Sequence, residues 1–121
     1  MTELTPSDIT KFAQKAMILR YQIDELEKMM DSYQSKGVGL NMRVVAESYN
    51  KALDDCRKVF SLDDSFVDGI SHLKKVEIIP DGRPHQQHIE VRKMVPQLKI
   101  LKATLNAFFE WLKHKEEKEK T

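Results

Sequence analysis

The chain is expected to fold as an all-α helical bundle, made of a long antiparallel hairpin, a short linking helix and a long C-terminal helix. Three observations predict this. Apolar residues recur at alternating steps of three and four along three separate stretches, the period that keeps one helix face against its neighbours. Breakers are scarce, with 4 Gly and 4 Pro in 121 residues. Charged residues make up 32% of the chain, which suits solvated helix faces. That length fits one domain, residues 1–121, with enough chain for one core.

The first helix is predicted over 5–36. Thr5 is a good N-cap, Pro6 fits the first helical position, and Asp8 follows three residues after the cap. Its seam runs Ile9, Phe12, Ala16, Leu19, Ile23, Leu26, Met30 and Tyr33. Ala13, Met17 and Met29 widen the stripe, as in a helix with more than one neighbour. Gly37 and Gly39 are expected to stop it. The second helix, 41–61, starts at the N-cap Asn41 and carries Met42, Val45, Tyr49, Ala52, Cys56 and Val59. The connection is short, so these two helices should run antiparallel.

A short helix is predicted over 65–75, with Phe66, Ile70 and Leu73 as its apolar set. The stretch 76–88 reads as turn and loop around Pro80-Asp81-Gly82-Arg83-Pro84. Val76–Ile79 and Ile89–Arg92 both alternate briefly, so a small β-ribbon within 76–92 is the alternative reading. The last helix is predicted over 89–116, with Val91, Met94, Leu98, Leu101, Leu105, Phe108 and Leu112 on its seam. Proline removes one helical hydrogen bond, so at Pro96 the helix should either kink or start only a turn earlier. Residues 117–121 read as a frayed tail.

The core and interface residues expected from these seams are Ile9, Phe12, Leu19, Ile23 and Leu26 against Leu98, Leu101, Leu105, Phe108 and Leu112. Apolar surplus beside the first and last seams suggests a homodimer, with a further protein partner of unstated identity. The single cysteine, Cys56, excludes an intrachain disulfide and sits on a seam, where a small buried hydrophobe belongs. Met1-Thr2-Glu3-Leu4 has no basic region leading into an apolar run, and no apolar stretch is long enough for a membrane span. A cytoplasmic protein is expected.

No catalytic, cofactor or metal set emerges. His85 and His88 have ligand spacing, and Asp81 or Glu90 could join them, but two exposed histidines in a polar loop explain the same pattern. His72-Leu73-Lys74-Lys75 resembles the phosphorylation segment of histidine phosphotransfer domains, though Val76 stands where that family has Gly. Leu19–Leu26, with Arg20, is similar to the opening helix of the all-helical chorismate mutases. That family needs a second Arg farther along the helix, and Met29–Lys36 has none. Neither activity is carried over.

Charge is uneven. Residues 47–68 hold six acids against three bases, and 72–105 hold seven bases against three acids. The leading explanation is pairing of the basic and acidic stretches. The alternative is an anion or nucleic-acid site using Arg83, His85, Arg92, Lys93 and Lys99. The function expected is therefore a non-enzymatic interaction and oligomerisation module. The alternatives are a phosphate-ligand or nucleic-acid regulator, and a small-ligand sensor or enzyme with an inter-helix pocket near Tyr21, Tyr49 and Trp111.

Overall fold

The computed structural model describes residues 5–36, 41–80 and 82–119. Those residues form an all-α bundle, and among them are five helices: α1 (Pro6–Lys36), α2 (Met42–Phe60), α3 (Asp64–Ile70), α4 (Pro84–Arg92) and α5 (Val95–Glu119). Gly37 and Gly39, expected to stop the first helix, lie outside the described residues. Helix α5 continues through Glu119, so the tail expected from 117 is helical as far as it is described.

Each helix begins for a local reason. At α1, Thr5 and Asp8 cap one another: the Asp8 amide donates to Thr5 Oγ1 at 3.1 Å and the Thr5 amide to Asp8 Oδ2 at 3.2 Å. These bonds hold the Asp8 carboxyl below its ordinary value. At α2, Asn41 Oδ1 accepts from the amides of Arg43 and Val44 at 3.1 and 3.3 Å. At α3, Asp63 accepts from the Ser65 amide at 2.9 Å. At α4, Pro84 takes the first turn, where its missing N–H costs nothing. Gly82, with φ of 90°, turns the chain into it, a conformation side-chain-bearing residues rarely adopt.

The three heptad seams meet in one core. Helix α1 packs chiefly on α5 and α2, and α3 closes one end over α5. Arg20 bonds Asn106, whereas Lys102 pairs with Asp24 at 2.9 Å and Glu27 at 3.3 Å, so α1 and α5 run antiparallel. Tyr49 meets Gln97 and Phe60 meets Phe108, so α2 runs parallel to α5 and opposite to α1. Ile9, Leu19, Ile23, Leu26, Leu98, Leu101, Leu105, Phe108 and Leu112 are buried, and Phe12 is half-buried against them. Phe60, Phe66, Phe108 and Trp111 form an aromatic cluster at the α3 end, with neighbouring centroids 5.3 to 5.9 Å apart.

Several expectations for the middle of the chain need correction. No strand occurs among the described residues, and Ile89–Arg92 belongs to α4 rather than to a ribbon. Helix α4 begins five residues before the expected start at 89, and buries Gln87 and Val91, four apart on one face. Helix α3 ends at Ile70, short of the expected 75, and Leu73 is buried by the extended chain that follows. The interruption before the last helix falls at Lys93–Met94, not at Pro96 itself. Pro96 has no N–H to give the Arg92 carbonyl. The amides of Lys93 and Met94 instead close tighter turns onto Glu90 and Val91 at 3.2 and 3.0 Å, and α5 starts afresh with Pro96 in its first turn.

The extended link Leu73–Ile79 carries no ladder of its own, and helix side chains satisfy its backbone. Gln97 accepts from the Lys74 amide at 2.9 Å and donates to its carbonyl at 3.0 Å. Asn50 does the same for Val76, at 2.7 and 2.9 Å. Gln87 accepts from the Ile79 amide at 2.7 Å and donates to the Glu77 carbonyl at 2.8 Å. Arg57 donates to the Leu73 carbonyl at 2.7 Å. Three carboxamides thus stand in for a neighbouring strand and fix the link across α2, α4 and α5.

Candidate functional site

Helix α1 has a second face. Away from its buried seam, Gln14, Ile18, Tyr21 and Glu25 step four, three, four along the helix, with Met17 beside them. Met17, Ile18 and Tyr21 are 63%, 59% and 67% exposed. Three large side chains held in water within five residues carry a hydrophobic cost. Ile18 also forms one lip of a groove of about 270 Å³ between α1 and α2. Phe12, Leu19 and Val59 line its apolar part, and Lys15, Gln22, Asp55 and Lys58 line the rest. Lys15 Nζ lies 5.7 Å from the Phe12 ring centre, so its stem covers part of the groove.

Much of the other apolar surplus is absorbed within the chain. Ala13, Met29, Ile100, Phe109 and Trp111 pack against the core, and Met30, Met42 and Met94 are inside it. Val44, Ile78 and Ile89 are also exposed, at 50%, 36% and 45%; the α1 face gathers three exposed large apolar side chains on one helix. Its residues were the harder ones to read from sequence. Met17 reads as one more core residue, and Ile18 follows it off the seam.

The basic residues do not form one surface. Arg83 lies at the turn into α4 and lines a pocket with Arg43, a residue the sequence did not single out. His85 and Arg92 stand on α4 with His88, whose imidazole is held below its ordinary value by burial and by the charges of Arg92 and His85. Lys93 pairs with Glu90 at 2.9 Å. Lys99 is exposed on α5. Pairing between the basic and acidic stretches is partial: Lys75 meets Asp54 of α2 at 2.8 Å, whereas Lys102 is taken by α1. The Lys75 bond holds the Asp54 carboxyl below its ordinary value.

The other sequence candidates fall in unrelated settings. Tyr49 is buried with its hydroxyl accepting from Gln97 at 2.8 Å, Tyr21 is exposed, and Trp111 stacks in the aromatic cluster. They do not share a pocket. Cys56 is buried, and burial pushes its thiol up to about 12, so it is held as an inert thiol. Among the described residues no group of three or more His, Cys, Asp or Glu side chains could hold a metal ion, and Asp81 lies outside them. Nor, among the described residues, is any helix long and apolar enough to cross a membrane. Comparison with known protein families, curated proteins and solved structures finds no match for the chain.

Proposed function

We propose that the protein is a non-enzymatic helical interaction module that self-associates through the outer face of α1. One observation carries the reading: Ile18 and Tyr21, 59% and 67% exposed, stand opposite a seam that the chain has already covered. A second heptad-spaced stripe on one helix asks for a second neighbour. The stripe is self-complementary. In an antiparallel pairing about a two-fold axis between residues 18 and 21, each Ile18 meets the other copy's Tyr21, and each Gln14 amide meets the other copy's Glu25 carboxylate. Lys11 and Lys28 lie farther out and face like charges, so added salt should strengthen the pair. The apolar centre is small beside the ~1,600 Å² buried by a standard interface, so the dimer is concentration-dependent.

Sedimentation velocity from about 10 µM to about 1 mM tests this, a range matched to a weak complex. The mass should rise toward two copies with concentration. Ile18→Glu combined with Tyr21→Ser should hold it at one copy while leaving helicity unchanged. A wild-type monomer at the highest concentration, or a variant that associates equally well, would overturn the reading. An anion-binding role is the second reading, favoured by the presence of Arg43 and Arg83 in the lining of one pocket.

A further inference from the structure

The chain between Leu73 and Met94 is attached differently from the rest of the bundle. Leu73 and Met94 are buried at its two ends. Between them, among the described residues, only Val76, Gln87 and Val91 are buried. Helix α4 packs chiefly on α2, whereas α1, α2 and α5 pack directly on one another through their seams. The helical ladder is interrupted on both sides of the segment, at Ser71 and His72 after α3 and at Lys93 and Met94 before α5.

Side-chain hydrogen bonds do the work that burial does elsewhere. Gln97 of α5 and Asn50 of α2 each hold one link residue by both backbone groups, Lys74 and Val76 respectively. Arg57 of α2 holds the Leu73 carbonyl. Lys75 pairs with Asp54 at 2.8 Å, the two side chains 50% and 45% exposed, so this tie is weak. Gln87 acts within the segment: it stands on α4 and holds the Glu77 carbonyl and the Ile79 amide of the link. The link and α4 are thus tied to each other, and the pair is tied to the bundle by polar side chains. Water replaces such bonds when they part, so their net contribution is small beside that of a buried seam. We propose that residues 74–92, the link and α4 together, form a strap that opens as one unit while the seams of α1, α2 and α5 stay packed. Opening exposes two valines and frees the carboxamides of Asn50 and Gln97. The strap shares no residue with the α1 face and opens whether or not the chain self-associates.

Native-state hydrogen exchange of the ¹⁵N-labelled full chain in sub-denaturing urea tests this. The amides of Val76, Ile79, Gln87 and Val91 should share one opening equilibrium and one urea dependence. Their protection should be at least about tenfold below that of the seam amides of Leu98, Leu101 and Leu105. Their urea dependence should be smaller too, because less surface is exposed. Asn50→Ala removes bonds to the link alone, yet it should speed exchange at Val91 of α4 by the same factor as at Val76, about tenfold or more. Strap amides that exchange with the protection and urea dependence of the seam, or an Asn50→Ala effect confined to the link, would overturn the proposal.

Discussion

Asn50 makes both backbone hydrogen bonds of Val76: its Nδ2 donates to the Val76 carbonyl at 2.9 Å and its Oδ1 accepts from the Val76 amide at 2.7 Å. Val76 is buried, and Asn50 is half-buried on α2, 26 residues away in sequence. Asn50→Ala would leave a donor and an acceptor without partners where water enters poorly. The expected loss is about 2 kcal/mol, the range for unsatisfied buried polar groups. Urea unfolding measures the loss, and hydrogen exchange at the Val76 amide should speed up locally. An Asn50→Ala protein as stable as wild type would show that water replaces the side chain at no cost.

Leu101 sits where α5 meets α1, and none of it is exposed. Leu101→Ala should cost about 3 kcal/mol, lost transfer energy plus a cavity. Leu101→Asp places a carboxylate in the same apolar site and should prevent folding at 25 °C. Circular dichroism reads both. An Asp variant that kept full helicity would mean that the seam does not pack as described.

What the sequence showed best were the features that repeat. The seams of α1, α2 and α5 step three and four for many turns, and nearly every seam residue named there is buried. The caps at Thr5 and Asn41 were also readable, because a cap is a local bond. Helix α4 was not read, because its buried face is Gln87 and Val91, one of them polar, and its average apolar signal is small. Pro84 directly after a turn was the available clue, since proline favours the first helical turn. The carboxamide clamp could not be read at all. Asn50, Gln87 and Gln97 look like surface residues beside the seams until the fold brings the link past them. The same applies to Arg43 and Arg83, which are 40 residues apart and share a pocket only through tertiary packing.

Pro96 sets the break between α4 and α5, and its removal should be visible there. Pro96→Ala restores an N–H that can reach the Arg92 carbonyl, and alanine favours the helix. Residues 93–95 should then become more helical by ¹³C secondary shifts. Merging the helices would pull Gln87 away from Ile79 and Glu77, so exchange at the Ile79 amide should rise with it. Unchanged shifts at 93–95 would assign the break to packing around Val91 and Met94 instead.

Cys56 and Tyr49 tie stability to alkaline pH. Burial pushes the Cys56 thiol from 9.0 up to about 12, and the Asp55 charge acts in the same direction. Burial likewise pushes the Tyr49 phenol from 10.0 up to about 12, against the opposing charge of Arg57 and the bond from Gln97. Both groups keep their protons in the fold at pH values where the unfolded chain releases them. The unfolded chain then binds fewer protons, so stability falls as pH rises. Their contribution is complete below about pH 9, starts to fall there through Cys56, steepens near pH 10 through Tyr49, and is lost by about pH 12. Lysines titrate in the same window, so the informative quantity is a difference. Wild type should lose more stability than Cys56→Ala as pH rises through 9 to 11, measured by urea midpoints at each pH. The thiol should also resist iodoacetamide in the folded chain and react once urea unfolds it. A gap between the two proteins that stays constant with pH would mean that the thiol ionises alike in both states, and that its burial does not suppress the thiolate.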